Sequence, residues 1–224
     1  MDITAVIPAR LGSSRVEKKV LLPFGKNDTL LSWKIKQIKK ILPNNKIYVS
    51  SESNEILNIA KNLGVMCHER NPYLSDGHKA SFSEVVYGII SEIEAEHIAW
   101  STVVCPLMDE KDFDKCFKTY KNVISNNSYD SLVGVNLIKE YFWDEKKPLN
   151  YEATKNHTIS QDLPNWYRVT NSIYIAPKKT ILKEKYLLGK KVKLEILPKY
   201  AGIDIDDWYD YELAVNMLKT KNKY

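Results

Sequence analysis

Ile3-Thr4-Ala5-Val6-Ile7-Pro8-Ala9-Arg10-Leu11-Gly12-Ser13-Ser14-Arg15 is the stretch whose reading decides the fold. A short apolar run stops at Pro8 and gives way to a basic, turn-rich loop, which is how a buried strand ends. Outward from it the pattern alternates. A helix is expected over 29–42, with Asp28 as N-cap and Pro43 as stop. A strand over 46–51 follows, then a helix over 53–63 closed by Gly64, and a short strand over 65–67. Helices over 80–95 and 111–125 alternate with strands over 98–105 and 130–137. After an irregular stretch, a strand over 168–176 leads to a helix over 178–186. A strand near 193–197 and a helix over 208–219 complete the chain. Strand then helix, repeated, predicts an α/β fold with a parallel sheet and helices on both faces. In such sheets ligands sit beyond the C-terminal ends of the strands, and every motif below falls at such an end.

Residues 138–166 break the rhythm, with Pro148, Pro164 and three aromatics at 141–143. A segment of this length without clean period is usually functional or forms an excursion of its own. No repeat or linker divides the 224 residues, so one α/β domain is expected.

Composition narrows the function classes. The net charge of +5 comes mostly from lysines, on expected helix faces (Lys34, Lys36, Lys39, Lys40) and in the tail (Lys219, Lys221, Lys223). That is a solvated surface rather than a nucleic-acid stripe, because no aromatic-interleaved module accompanies it. A mild positive field still suits small anionic substrates. No apolar run approaches the roughly 20 residues that cross a bilayer. The N-terminal run lacks a basic flank and a cleavage site, so no signal peptide is expected. Cys67, Cys105 and Cys116 are odd in number and lack metal-ligand spacing, which suits reduced thiols and a cytoplasmic location. Cys105, before Pro106, has no histidine placed to activate it and reads as packing.

The loop after the first strand has a glycine that lets N–H groups turn toward a phosphate, serines that add donors, and cations that neutralise charge. It matches neither the Walker nor the dinucleotide-binding spacing. As an ordered string, Ile-Pro-Ala-Arg-x-Gly-Ser-x-Arg-x-x-x-Lys resembles the opening of the cytidylyltransferases that activate acidic sugars, the CMP-sialic acid and CMP-Kdo synthetases. Arg15-Val16-Glu17-Lys18-Lys19-Val20-Leu21 is similar to their Arg-x-Pro-Gly-Lys-x-Leu form, with Glu17-Lys18 in place of Pro-Gly. The resemblance implies a Rossmann-like, mostly parallel sheet with a small dimerisation excursion over about 138–170. It also implies CTP as substrate, with Ala9, Arg10, Gly12, Ser13, Arg15 and Lys19 around the triphosphate.

Val49-Ser50-Ser51-Glu52-Ser53-Asn54-Glu55-Ile56 resembles the family's V-S-T-D-S-x-E-I, although Ser53 also suits a plain N-cap. His68 to Pro72 with Leu74-Ser75-Asp76 is similar to R-P-x-x-L-x-x-D, which puts Arg70 on the nucleotide. Ser81 matches a base-contacting serine, whereas His78, alone, reads as a surface residue. Beyond the next strand the likeness thins. Thr102 stands at a family glutamine and Met108 at an arginine, while Pro106-Leu107 remains. Gln161-Asp162-Leu163-Pro164 through Tyr167 and Asn171-Ser172-Ile173-Tyr174 resembles R-Q-D-L-P-x-x-Y-x-x-x-G-A-I-Y-I, with Ser160 at the arginine. The acceptor side implied is Thr102, Gln161, Tyr167 and Asn171; packing in a core or dimer is the alternative for Tyr167. In the family this region swaps across a homodimer.

Gly202-Ile203-Asp204-Ile205-Asp206-Asp207 carries the sharpest chemistry. In a strand Asp204 and Asp206 would face one side while the isoleucines pack inward. Two carboxylates together suit Mg²⁺, which binds through one or two carboxylates plus substrate phosphates. Asp207 is left to cap the last helix. The expected reaction is attack of an acidic acceptor on the α-phosphorus of CTP, with Arg10, Lys19, Asp204 and Asp206 as the catalytic set. A relative acting on a phosphorylated or phosphonate acceptor, or a non-catalytic CTP binder, are the alternatives; no nucleic acid and no membrane are expected as partners.

Overall fold

The structure is a computed structural model that describes residues 1–221 apart from residues 14 and 78. Ser14 of the first loop, His78 and Lys223 therefore lie outside the described residues. The opening run forms β1 (Ile3–Pro8), which leads through the long first loop and a short 3₁₀ helix (Lys19–Leu21) to a two-stranded hairpin, β2 (Pro23–Phe24) and β3 (Asp28–Thr29). Helix α1 (Leu30–Lys39) starts one residue later than the sequence suggests. Its N-cap is Thr29, in a reciprocal capping box with Ser32, while Asp28 receives the Ser32 hydroxyl and pairs with Lys36 at 2.6 Å. Then come β4 (Ile47–Ser51), α2 (Asn54–Asn62) and β5 (Met66–Glu69). Gly64, at φ +70°, provides the left-handed turn that ends α2. Helix α3 (Phe82–Glu92), β6 (His97–Trp100), α4 (Glu110–Ser125) and β7 (Ser131–Ile138) continue the alternation. The chain ends in β8 (Trp166–Pro177), α5 (Lys178–Glu184), β9 (Val192–Ile196) and α6 (Trp208–Lys221).

Seven strands form the main sheet in the order β5-β4-β1-β6-β8-β7-β9. Four neighbouring pairs are parallel, and only β8 runs against its neighbours β6 and β7. The sheet is thus mostly parallel, as expected, with one strand reversed. Alternating hydrophobicity does not encode strand direction, so nothing local marked the reversal. One core lies between the sheet and α1, α2, α4 and α6, with Leu31, Ile35, Ile56, Phe113 and Ala214 all buried. The other lies under α3 and α5, around Val86, Ile89 and Ile181.

Two expected strands are shorter than read. The stretch 98–105 is strand only to Trp100, because Ser101 makes one last rung to Val6 and the chain then turns toward Pro106. Residues 203–206 are extended coil rather than strand, with one backbone bond, Ile205 N to Val104 O at 2.9 Å, tying them to the loop after β6. Residues 139–165 carry little regular structure. They gather a small aromatic cluster, with Tyr141 between Tyr151 and His157 and Phe142 stacked on Trp166 at 4.9 Å.

Candidate active site

Strands β1, β4, β5 and β6 end side by side, and the loops after β1, β5 and β6 wall a cleft of about 480 Å³. The first loop supplies Ala9, Arg10, Gly12, Ser13, Arg15 and Lys19, all of which line it. Lys19 reaches the cleft because Lys18 takes a left-handed turn (φ 49°) into a short 3₁₀ helix. Its amine donates to the Ile205 carbonyl and lies 3.9 Å from Asp206. With only 8% of its surface exposed, burial lowers the Lys19 pKa, against the pull of Asp206 and Asp204. Arg15, on the open side, pairs with Asp206 at 2.6 Å. Arg10 donates to the Ser75 carbonyl at 3.0 Å, packed so closely on Gly77 that a Cβ there would meet its Nη1 at 2.6 Å.

Arg70 is 3% exposed and holds the base of the cleft. Its Nη2 donates to the Ala9 carbonyl at 2.7 Å and to Glu52 at 3.1 Å, while its Nε is buried with no hydrogen-bond partner. The same cleft has an apolar lining from Leu74, Ala80, Phe82, Val85 and Trp100.

The acidic end closes the cleft from the other side. Asp206 lines it; Asp204 sits beside it, accepting from Asn171 Nδ2 at 3.0 Å. Burial raises the Asp204 pKa and Asp206 adds to the rise, against the Asn171 donor and Lys19. Its Oδ1 is buried without a partner. Asp207 and Asp210 exchange reciprocal bonds that cap α6, so Asp207 is spent on the helix and Asp204 and Asp206 are not. Asn171 owes its aim to a bulge. Two steps along β7 (Val133 to Val135) match five along β8 (Tyr174 to Val169), and within that bulge Asn171 has φ 56°. Thr102 donates to its carbonyl at 2.7 Å and Tyr174 to its Oδ1 at 2.7 Å.

A family model described as cytidylyltransferase matches residues 4–197. The chain belongs to that family. Pseudaminic acid cytidylyltransferase of Campylobacter jejuni is 27% identical over 235 aligned positions, covering all of this chain and 99% of that protein. N-acylneuraminate cytidylyltransferase of Escherichia coli is 25% identical over 99% of this chain, which spans 53% of that longer protein. Among solved structures, CMP:2-keto-3-deoxy-manno-octonic acid synthetase complexed with CTP aligns over 99% of this chain and 100% of its own, with TM-score 0.70 and 11% identity. The 4-diphosphocytidyl-2C-methyl-D-erythritol synthase of Anaerococcus prevotii aligns over 97% of this chain and 96% of its own, with TM-score 0.67 and 13% identity. At such identities the two structures speak for the Rossmann-like fold alone.

This cytidylyltransferase, a nucleotidyltransferase by family, thus brings most of its sequence-read residues to one cleft. Apart from Asp204 and its partner Asn171, three of them are not part of its lining. Ser81 is the N-cap of α3, its hydroxyl tied to Glu84 in a capping box, and does not line the cleft. Gln161, on a 3₁₀ turn, and Tyr167, on the outer half of β8, are exposed and away from the cleft lining. Ser53 occupies the N-cap of α2 without a side-chain cap bond. Cys105 is buried, donates to the Thr170 carbonyl at 3.0 Å, and is pushed up to about 12 by burial, so it is a protonated packing thiol. Glu52, Gly77 and Trp100 were not singled out as site residues in the sequence. The signal for Glu52 was available: a carboxylate at the very end of a parallel strand.

Proposed function

We propose that this cytidylyltransferase joins CMP from CTP to an acidic sugar, a nonulosonic acid related to sialic acid, and releases pyrophosphate. One observation carries the reading. A cleft lined by Arg10, Arg15, Lys19 and Asp206, with Asp204 beside it, lies in a chain related over its whole length to a pseudaminic acid cytidylyltransferase. The cations would neutralise the triphosphate and leave its α-phosphorus open to the acceptor hydroxyl, so that rate comes from positioning and charge stabilisation.

Asp204 and Asp206 fit a Mg²⁺ ion. Asp204 Oδ1 is a buried carboxylate oxygen with no partner, and Asp206 is a half-exposed carboxylate beside Arg15 and Lys19. When bound, the ion supplies charge neutralisation at the phosphates and Lewis acidity. Arg15 and Lys19 play complementary parts, pairing with Asp206 in the free protein and turning to phosphate oxygens when nucleotide enters. Thr102 and Asn171, joined by a hydrogen bond, would face the acceptor, with Gln161 and Tyr167 reaching an acceptor only in a homodimer. Among the described residues no helix is long and apolar enough to cross a membrane, and a cytoplasmic homodimer is the assembly we infer.

Thr102 and Ser160, in place of the family's glutamine and arginine, favour one second reading, in which the acceptor is a phosphorylated or phosphonate molecule. Pyrophosphate release from CTP and Mg²⁺ against a panel of nonulosonic acids, Kdo, phosphates and phosphonates separates the two. Turnover with a nonulosonic acid supports the first reading. Turnover confined to phosphate or phosphonate acceptors replaces it with the second, and silence across the panel with CTP bound rejects both.

A further inference from the structure

Strand β4 lies between β5 and β1, so the residue after its last rung stands between two loops of the cleft. Backbone bonds extend both ladders there: Ala9 N donates to Ser50 O at 3.0 Å, and Arg70 N donates to Ser51 O at 2.9 Å. Glu52 is next. Its Oε1 accepts from the Leu11 backbone N–H at 3.2 Å, in the first loop. Its Oε2 accepts from Arg70 at 3.1 Å and from the Ser75 hydroxyl at 2.7 Å. Ser75 in turn offers its carbonyl to Arg10. One half-buried carboxylate at the end of β4 therefore joins the loops after β1 and β5, and both of those carry residues that line the cleft.

A negative charge beneath an anion site opposes substrate binding unless it does something else. Arg70 gives the reason. A guanidinium that is 3% exposed needs a counter-charge, and breaking such a pair by removing one partner leaves the other uncompensated. Paired with Glu52 and fixed on the Ala9 carbonyl, Arg70 has lost most of its net pull on phosphate and gained a set orientation. Net positive charge is left to Arg10, Arg15 and Lys19. Burial works to raise the Glu52 carboxyl, but the Ser75, backbone and Arg70 donors outweigh it and hold it below the ordinary glutamate range.

We propose that Glu52 is a positioning residue for the nucleotide: it presets the first loop and Arg70 in the arrangement that receives CTP, without touching the reacting atoms. The proposal rests on the CTP reading of the cleft. Replacing Glu52 by Gln keeps the size and one acceptor but removes the charge, and Glu52→Asp keeps the charge.

The test is calorimetric binding of CTP with Mg²⁺ to wild type, E52Q and E52D, together with KM and kcat for whichever acceptor is turned over. Wild type that does not bind CTP would reject the reading of the site, whatever the variants do. With wild-type binding in hand, E52Q is expected to bind CTP about tenfold or more weakly, as for loss of one partner of a buried charged pair. KM for CTP should rise with it, kcat at saturating CTP should fall far less, and E52D should restore most of the affinity. Folded E52Q with wild-type CTP affinity, or an E52D as weak as E52Q, overturns the proposal. A purely structural role would lower the melting temperature of E52Q and leave CTP affinity and KM where they were.

Discussion

Asp206 is the carboxylate that the free protein keeps busy, 2.6 Å from Arg15 and 3.9 Å from Lys19, while Asp204 beside it keeps an oxygen without a partner. Substrate with its metal would exchange these contacts: cations to phosphate, carboxylates to metal. Asp206→Ala should therefore cut kcat by about two orders of magnitude or more. Near-wild-type turnover in that variant would remove Asp206 from the metal site. Lys34 makes a different kind of prediction. Although the sequence suggests a solvated helix face, it is fully buried on α1, its amine donates to the Cys105 carbonyl at 2.7 Å, and burial lowers its pKa to about 8. The folded chain then releases this proton at about pH 8 while the unfolded chain holds it to about 10.5. Between those values the unfolded state binds more protons, so stability should rise with pH across that window and not below it. Urea unfolding of wild type and Lys34→Met from pH 7 to 10.5 tests it. The rise should be missing from the variant, and parallel curves would refute a depressed Lys34.

Helix α3 shows how one element can hold two readings of a residue. Ser81 caps it, accepting from the Glu84 N–H while the Glu84 carboxylate takes the Ser81 N–H and hydroxyl. Ser81→Ala should cost about 1 kcal/mol of stability through the lost cap. If the cap is the whole role, KM for CTP stays put; a rise of about tenfold would mean that the hydroxyl turns to the base on binding. The expected outcome here is the stability loss with KM unchanged, because both partners of the hydroxyl are already in the helix. Elements also explain what could be read beforehand. The strand–helix alternation, the first loop and the acidic end were legible because each is local: a short apolar run, a punctuating Pro8, two carboxylates two residues apart at Asp204 and Asp206. The reversed β8, its bulge at Asn171 and the Glu52 junction were not, because all three depend on which strands become neighbours. Nothing in Val49-Ser50-Ser51-Glu52 says that Leu11 and Arg70 will flank it. Asp28, likewise, is a good N-cap type displaced by Thr29, since the β3 pairing runs through Thr29 and the helix begins only after it.

At the scale of the molecule, the outer half of the sheet is unfinished. Register puts Tyr167 opposite Leu137, Val169 opposite Val135 and Ile196 opposite Val135, so these side chains share one face. Helices α3 and α5 cover the inner part of that face, but Tyr167, Val169, Leu194 and Ile196 are each about two-fifths exposed or more, except Leu194 just below. Trp143, Leu149 and Ile159, in the irregular excursion, are more exposed still. Apolar surface gathered in this way is uncommon on a monomer and fits the homodimer inferred above. Light scattering should then give twice the 25.9 kDa chain mass. The double variant Val169→Asp, Ile196→Asp should halve it, because a carboxylate costs little on an open sheet face and several kcal/mol when buried unpaired. Melting of the variant at low concentration should stay close to wild type, its CTP affinity should be intact, and its KM for acceptor should rise as the partner-supplied wall is lost. A wild-type chain that is monomeric at tens of micromolar, or a double variant that stays dimeric, would place the interface elsewhere and return Gln161 and Tyr167 to the ordinary surface of β8 and its approach.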